Sequence, residues 1–118
     1  MKICIILSTR PEIIKFAPLI EILKKKKKNF FLVNTNQHYI NIMSKVFFNF
    51  FKISKPKYNI KAPISTYGAF FSKTIKEIEN ILFKEKPNYL IVQGDTNTAF
   101  AGCFAASIHN RKYFENYH

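Results

Sequence analysis

The stretch from residue 3 to residue 12 constrains the fold most. Residues 3–7 are a near-continuous apolar, largely β-branched run, the mark of a strand buried on both faces. Ser8, Thr9, Arg10, Pro11 and Glu12 follow at once and open an amphipathic segment, so the stretch reads as strand, tight turn, helix. Pro11 suits the first helical position, because its ring presets φ and its missing N–H has no partner there anyway; Ser8 or Thr9 can cap the start. Such a helix start offers free N–H groups and a partial positive charge to an anion. Arg10 sits at that mouth and Lys15 lies one helical turn after Pro11, so both cations can face one site, for which a phosphate is the best-suited ligand. The alternative is an ordinary βα turn carrying two surface cations.

The pattern then repeats. Helices are predicted over 11–27, 39–51, 65–86 and 97–110, and further strands over 30–33, 58–60 and 89–92. The first helix turns Ile13, Ile14, Ala17, Ile20 and Leu23 inward, and Pro18 is expected to kink it. Ile42, Val46, Phe47 and Phe50 mark the second, and Phe70, Thr74, Ile78 and Ile81 mark the third, which Pro87 ends. In the fourth, Ala99, Ala101, Gly102, Ala105 and Ala106 allow close approach to neighbours, and Gly94 fits the tight turn before it. The order βαβαβαβα implies an α/β fold, a Rossmann-like parallel sheet with helices on both faces and right-handed crossovers. In the strand order 3-2-1-4, ligands bind in the crevice between the carboxyl ends of strands one and four. Ser8 and Arg10, Gln37 and His38, and Gly94, Asp95 and Thr96 all fall at strand ends facing that crevice.

Composition narrows the partners. The chain has 118 residues and a formal charge of +12, which could point to nucleic acid. Ile, Lys, Phe and Asn supply about half of the chain, and all four have AT-rich codons, so a skewed genome accounts for much of the lysine excess. The run Lys24 to Lys28 sits where cations complement the end of a helix dipole, and a solvated helix end is preferred over a nucleic-acid patch. Cys4 and Cys103 have no C-x-x-C spacing and no histidine nearby in sequence, so buried free thiols in a reducing compartment are expected. No apolar run approaches a membrane span, no signal peptide is legible, and the expected location is cytoplasmic. Dinucleotide G-x-G-x-x-G and P-loop patterns are absent.

Asp95, at a strand end beside a helix start, is either an N-cap or a catalytic acid or base. His38 either contacts ligand or stabilises its loop, and His109 and His118 read as uninvolved. Three stretches together carry a resemblance: residues 8–19, residues 35–38 (Thr-Asn-Gln-His) and residues 93–98 (Gln-Gly-Asp-Thr-Asn-Thr). In order and spacing they resemble the G-T-R-P-E-x-I-K-x-A-P-L, T-x-Q-H and x-G-D-T-x-T motifs of the non-hydrolysing UDP-N-acetylglucosamine 2-epimerases.

The resemblance implies an isomerase of GT-B architecture with two Rossmann-like domains and a UDP-sugar in the cleft between them. That family interconverts UDP-N-acetylglucosamine (UDP-GlcNAc) and UDP-N-acetylmannosamine (UDP-ManNAc) for surface polysaccharide synthesis. UDP is eliminated to give a glycal and added back on the other face, without NAD or any other cofactor and without metal. Carried across, Arg10 and Lys15 hold the UDP diphosphate, Lys15 belongs to the catalytic group, and Asp95 serves proton transfer near C2 of the sugar. Gln37 and His38 match a region that in some bacterial members contacts a second, regulatory UDP-sugar. Full-length members are expected to be homodimers, with neither nucleic acid nor membrane as partner. Ser8 replaces the usual glycine, and residues 113–118 do not match the family's next motif, His-Val-Glu-Ala-Gly-Leu-Arg. The expectation is therefore a partial amino-terminal domain over 1–118, with the second domain absent and no epimerase activity from this chain alone. The alternatives are a non-catalytic module binding a nucleotide or sugar phosphate, and a nucleic-acid binder driven by Lys24 to Lys28.

Overall fold

The computed structural model describes residues 1–8, 10–35, 55–63, 65–94 and 96–115, with the backbone alone for Arg10 and 110–115. Four strands, β1 (Lys2–Leu7), β2 (Asn29–Asn34), β3 (Tyr58–Asn59) and β4 (Tyr89–Ile91), form one sheet in the order β3-β2-β1-β4. All pairings are parallel, with Cys4 opposite both Phe31 of β2 and Leu90 of β4, and Val33 opposite Tyr58. The strand order 3-2-1-4 inferred from the alternating pattern is the one observed. Three helices are described: α1 (Arg10–Lys25), α2 (Tyr67–Glu85) and α3 (Asn97–Glu115). The predicted helix over 39–51 lies outside the described residues.

The period-two alternation of the strands divides the core in two. Ile3, Ile5 and Leu7 of β1 and Leu32 of β2 point to one face, where Ile13, Phe16, Ile20 and Leu23 of α1 cover them. Cys4 and Ile6 of β1, with Phe31 and Val33 of β2, point to the other, against Ile78, Ile81 and Leu82 of α2 and Ala101 and Ala105 of α3. Both faces of β1 are therefore covered, as its unbroken apolar run requires. Phe70, Thr74, Ile78 and Ile81 are all buried along α2, as their spacing predicts. The small side chains of α3 allow close approach: a Cβ on Gly102 would stand 2.8 Å from Val92 Cγ1 and 3.3 Å from Ile6 Cδ1.

Several expectations are corrected. Ile14 is 46% exposed, and Phe16 takes the inward place expected of it, so the buried stripe on α1 is 13, 16, 20 and 23. Cys4 is buried, and burial pushes its thiol up to about 12. Cys103 is exposed instead, because it lies on the side of α3 turned away from the sheet, with exposed Phe100 and Phe104. The helix predicted over 97–110 runs on to Glu115. At the amino-terminal end of the sheet, buried Glu85 at the end of α2 accepts from Lys2 Nζ at 2.6 Å, Lys57 Nζ at 2.7 Å and the Tyr58 hydroxyl. This cluster ties α2, β1 and β3 together at the end of the sheet away from the crevice.

Candidate functional site at the carboxyl ends of the strands

β1 and β4 are neighbours, and each runs directly into a helix start: β1 through Ser8 into α1, β4 through Gly94 into α3. Because α1 covers one face and α3 the other, the two helix amino termini flank the crevice where the sheet's winding reverses. Gly94 has φ +79°, a left-handed conformation that favours glycine, and lets the chain turn from β4 into α3. At the start of α3 the Ala99 N–H donates to Thr96 Oγ1 at 3.1 Å. A capping oxygen for α3 thus comes from Thr96, one of the two roles the position of Asp95 left open.

Beneath the crevice three hydroxyls meet. Ser8 Oγ lies 2.9 Å and Thr35 Oγ1 2.7 Å from Thr98 Oγ1, and all three residues are at most 2% exposed. They come from the carboxyl ends of β1 and β2 and from the first turn of α3, separated by 90 and 63 positions in the chain. The Thr35 N–H also donates to the Leu7 carbonyl at 3.1 Å, which extends the link between the ends of β2 and β1. The three stretches read from the sequence as strand-end motifs are physically joined at this point.

Arg10 is the first residue of α1, at its positive end, as expected. Lys15 is exposed five residues later, which at about 100° per residue is about 140° round the helix axis from Arg10. By position along α1 the two cations do not share a helix face. Asp95, Gln37 and His38 lie outside the described residues. Glu12, which the sequence reading left without a role, is buried 3% exposed in the first turn of α1. The signal for it was present, since Thr9 and Glu12 have the T-x-x-E spacing of a capping box. Among the described residues no group of three or more histidine, cysteine or acidic side chains is placed to hold a metal ion. No described helix is long and apolar enough to cross a membrane.

With this geometry in view, comparison with known proteins is specific. Residues 21–113 match the family described as UDP-N-acetylglucosamine 2-epimerase. The UDP-N-acetylglucosamine 2-epimerase of Methanococcus maripaludis is 51% identical over 106 residues, which are 90% of this chain and 28% of that protein. The enzyme of the same name from Methanocaldococcus jannaschii is 48% identical over 107 residues, 91% of this chain and 29% of that protein. The crystal structure of the Methanocaldococcus jannaschii UDP-GlcNAc 2-epimerase in complex with UDP-GlcNAc and UDP superposes with a TM-score of 0.86 at 47% identity, covering 92% of this chain and 30% of that one. The chain spans less than a third of the length of these relatives. The match of residues 21–113 to the family and the close superposition on a solved member place this chain in the UDP-N-acetylglucosamine 2-epimerase family.

Proposed function

We propose that the chain supplies the diphosphate-binding half of an epimerase crevice, in a protein that interconverts UDP-GlcNAc and UDP-ManNAc. The observation that carries this reading is the junction of Ser8, Thr35 and Thr98, which gathers the three motif-bearing segments at the carboxyl end of the sheet. In the proposed reaction a proton leaves C2 of the sugar, the bond from C1 to the diphosphate oxygen breaks, and a C1–C2 double bond forms. Re-addition of UDP at C1 and of a proton on the other face of C2 completes the inversion. Negative charge builds on the leaving diphosphate, where Arg10, Lys15 and the positive end of α1 stabilise it. Asp95 takes the proton-transfer role near C2. Gln37 and His38 contact a second UDP-sugar. The same reading includes residues 1–118 as part of the first domain of a GT-B-type protein, homodimer assembly and a cytoplasmic location.

Arg10, Lys15 and the helix starts also admit a second reading, a module that binds a nucleotide or sugar phosphate without turnover. One titration series tests both. The purified chain is expected to bind UDP, with affinity reduced about tenfold in Arg10→Ala. Incubation with UDP-GlcNAc is expected to give no UDP-ManNAc from the chain alone, since half a cleft cannot exclude water or oppose two proton-transfer groups across a sugar. Preference for UDP over ADP favours the epimerase reading over the general module, and epimerised product from the chain alone would overturn the half-crevice assignment.

A further inference from the structure

Nine of the fourteen lysines whose side chains are described stand at the end of the molecule where the strands begin: Lys2, Lys24 to Lys28, Lys57, Lys84 and Lys86. Parallel pairing brings this about, because each helix returns the chain to the same end to start the next strand. Contacts make that end continuous. Lys28 precedes Asn29, the sheet partner of Lys2. Lys2 Nζ donates to the Glu85 carbonyl at 3.1 Å, at the end of α2, and the Asn88 N–H donates to the Lys2 carbonyl at 2.8 Å, just before β4. Lys57 Nζ reaches the Glu85 carboxylate, and Lys84 Nζ stands 5.8 Å from the Tyr58 ring. The carboxylates described at this end are Glu85, shared by Lys2 and Lys57, and Glu21, 3.3 Å from Lys25, so a large positive excess is left. A skewed genome raises lysine throughout a chain and does not gather it at one end. Helix dipoles favour Lys24, Lys25 and Lys84 in the last turns of α1 and α2. They do not account for Lys26 to Lys28, which lie beyond α1, or for Lys2 and Lys57, which are on no helix.

Exposed apolar side chains stand among these lysines: Met1 is 70%, Tyr89 58%, Ile22 50% and Phe83 42% exposed. Ile22 and Phe83 are in the last turns of α1 and α2, and Met1 and Tyr89 adjoin the starts of β1 and β4. Nucleic acids are held through guanidinium forks on phosphates and rings stacked on bases. Aliphatic Met1 and Ile22 supply neither, and the chain has two arginines, Arg10 at the crevice and Arg111 in α3. A bilayer surface uses both components of this end: anionic headgroups attract lysine, and the interface takes up apolar and tyrosine side chains. We infer that the strand-start end of the chain docks peripherally on an anionic phospholipid bilayer, with the crevice at the opposite end turned away from the lipid. Such docking needs no membrane-spanning helix, and it departs from the family-based expectation of no membrane partner. It is independent of the epimerase reading.

Flotation of the 118-residue chain with lipid vesicles tests the docking. Phosphatidylcholine vesicles with about 30% phosphatidylglycerol are expected to carry the chain at about 0.1 M salt and to release most of it at about 0.5 M, whereas pure phosphatidylcholine carries none. Lys26→Gln/Lys28→Gln and Lys84→Gln/Lys86→Gln are each expected to lower partition about tenfold or more, since one lysine near an anionic surface is worth about fivefold. Lys61→Gln/Lys76→Gln removes the same charge away from that end and is expected to change partition less than about twofold. All six lysines are exposed, so these variants keep the core intact. Ile22→Ser separates lipid from other polyanions: vesicle partition is expected to fall about threefold while retention on heparin is unchanged. Failure of the parent to float with anionic vesicles overturns the inference, as does an equal loss in the Lys61/Lys76 variant, which would make net charge the cause. Unchanged flotation of Ile22→Ser, or tighter binding to duplex DNA than to anionic vesicles at equal phosphate concentration, overturns the choice of a bilayer.

Discussion

Glu85 shows how much one side chain can do out of reach of sequence pattern. Its hydrogen bond from Lys2, then those from Lys57 and Tyr58, outweigh desolvation and hold its carboxyl down to about 2. The same contacts push the Tyr58 phenol up to about 12, first through its hydrogen bond to Glu85. A carboxyl with a lowered folded-state value stabilises the fold at pH above its ordinary value near 4.5, and this contribution is lost as pH falls toward 2. Glu85→Gln is expected to lower stability at pH 7 by about 1–2 kcal/mol, at the lower end because Lys2 and Lys57 can turn to water. Urea unfolding at pH 7 and pH 3 checks this: the gap between parent and variant should narrow at the lower pH, and a gap that stays constant would remove the charge from the explanation. Lys2 lies 83 positions from Glu85 and Tyr58 lies 27, so no local periodicity could announce the cluster.

The helices were largely legible from their buried stripes, and their ends less so. Lys27 (φ 51°) follows α1 and Lys86 (φ 49°) follows α2, both left-handed positions that in most helices belong to glycine or asparagine. Lysine suits the charge preference of a helix carboxyl end but strains the backbone there. Lys86→Gly, and independently Lys27→Gly, is expected to raise stability by about 0.5–1 kcal/mol, read as a shift in urea midpoint at unchanged slope. No gain at either position would mean that the lysine side chains contribute more than their backbone strain removes. On α1 the sequence pattern pointed to Ile14 as core and passed over Phe16. The sheet decided for Phe16, because a helix lying along β1 and β2 buries one narrow stripe and Ile14 falls outside it.

At the level of the molecule, α1 separates two cationic regions. Its 16 residues span about 24 Å, with Arg10 at the crevice and Lys24 to Lys28 at the opposite end. Replacing Lys24 to Lys28 by glutamine is therefore expected to weaken salt-sensitive heparin retention while leaving UDP affinity within about twofold, since charges that far apart are screened from one another at physiological salt. A large loss of UDP affinity in that variant would move the binding site away from the crevice. Among the described residues β4 forms one edge of the sheet, with Tyr89 58% exposed and Leu90 and Ile91 half-buried.

The order of strands and helices, the two-sided burial of β1 and the placement of the polar motifs at strand ends were already determined by the sequence, because alternation and period are properties of neighbouring residues. Which residues meet across the fold was not. Ser8, Thr35 and Thr98 are each unremarkable polar residues in their own segments, and only parallel pairing of β1 with both β2 and β4 brings their hydroxyls to 2.7–2.9 Å. The same is true of Glu85 with Lys2 and Lys57, and of Gly102 against Val92 and Ile6. These contacts join residues tens of positions apart, and their geometry comes from the sheet, whose register local sequence does not encode.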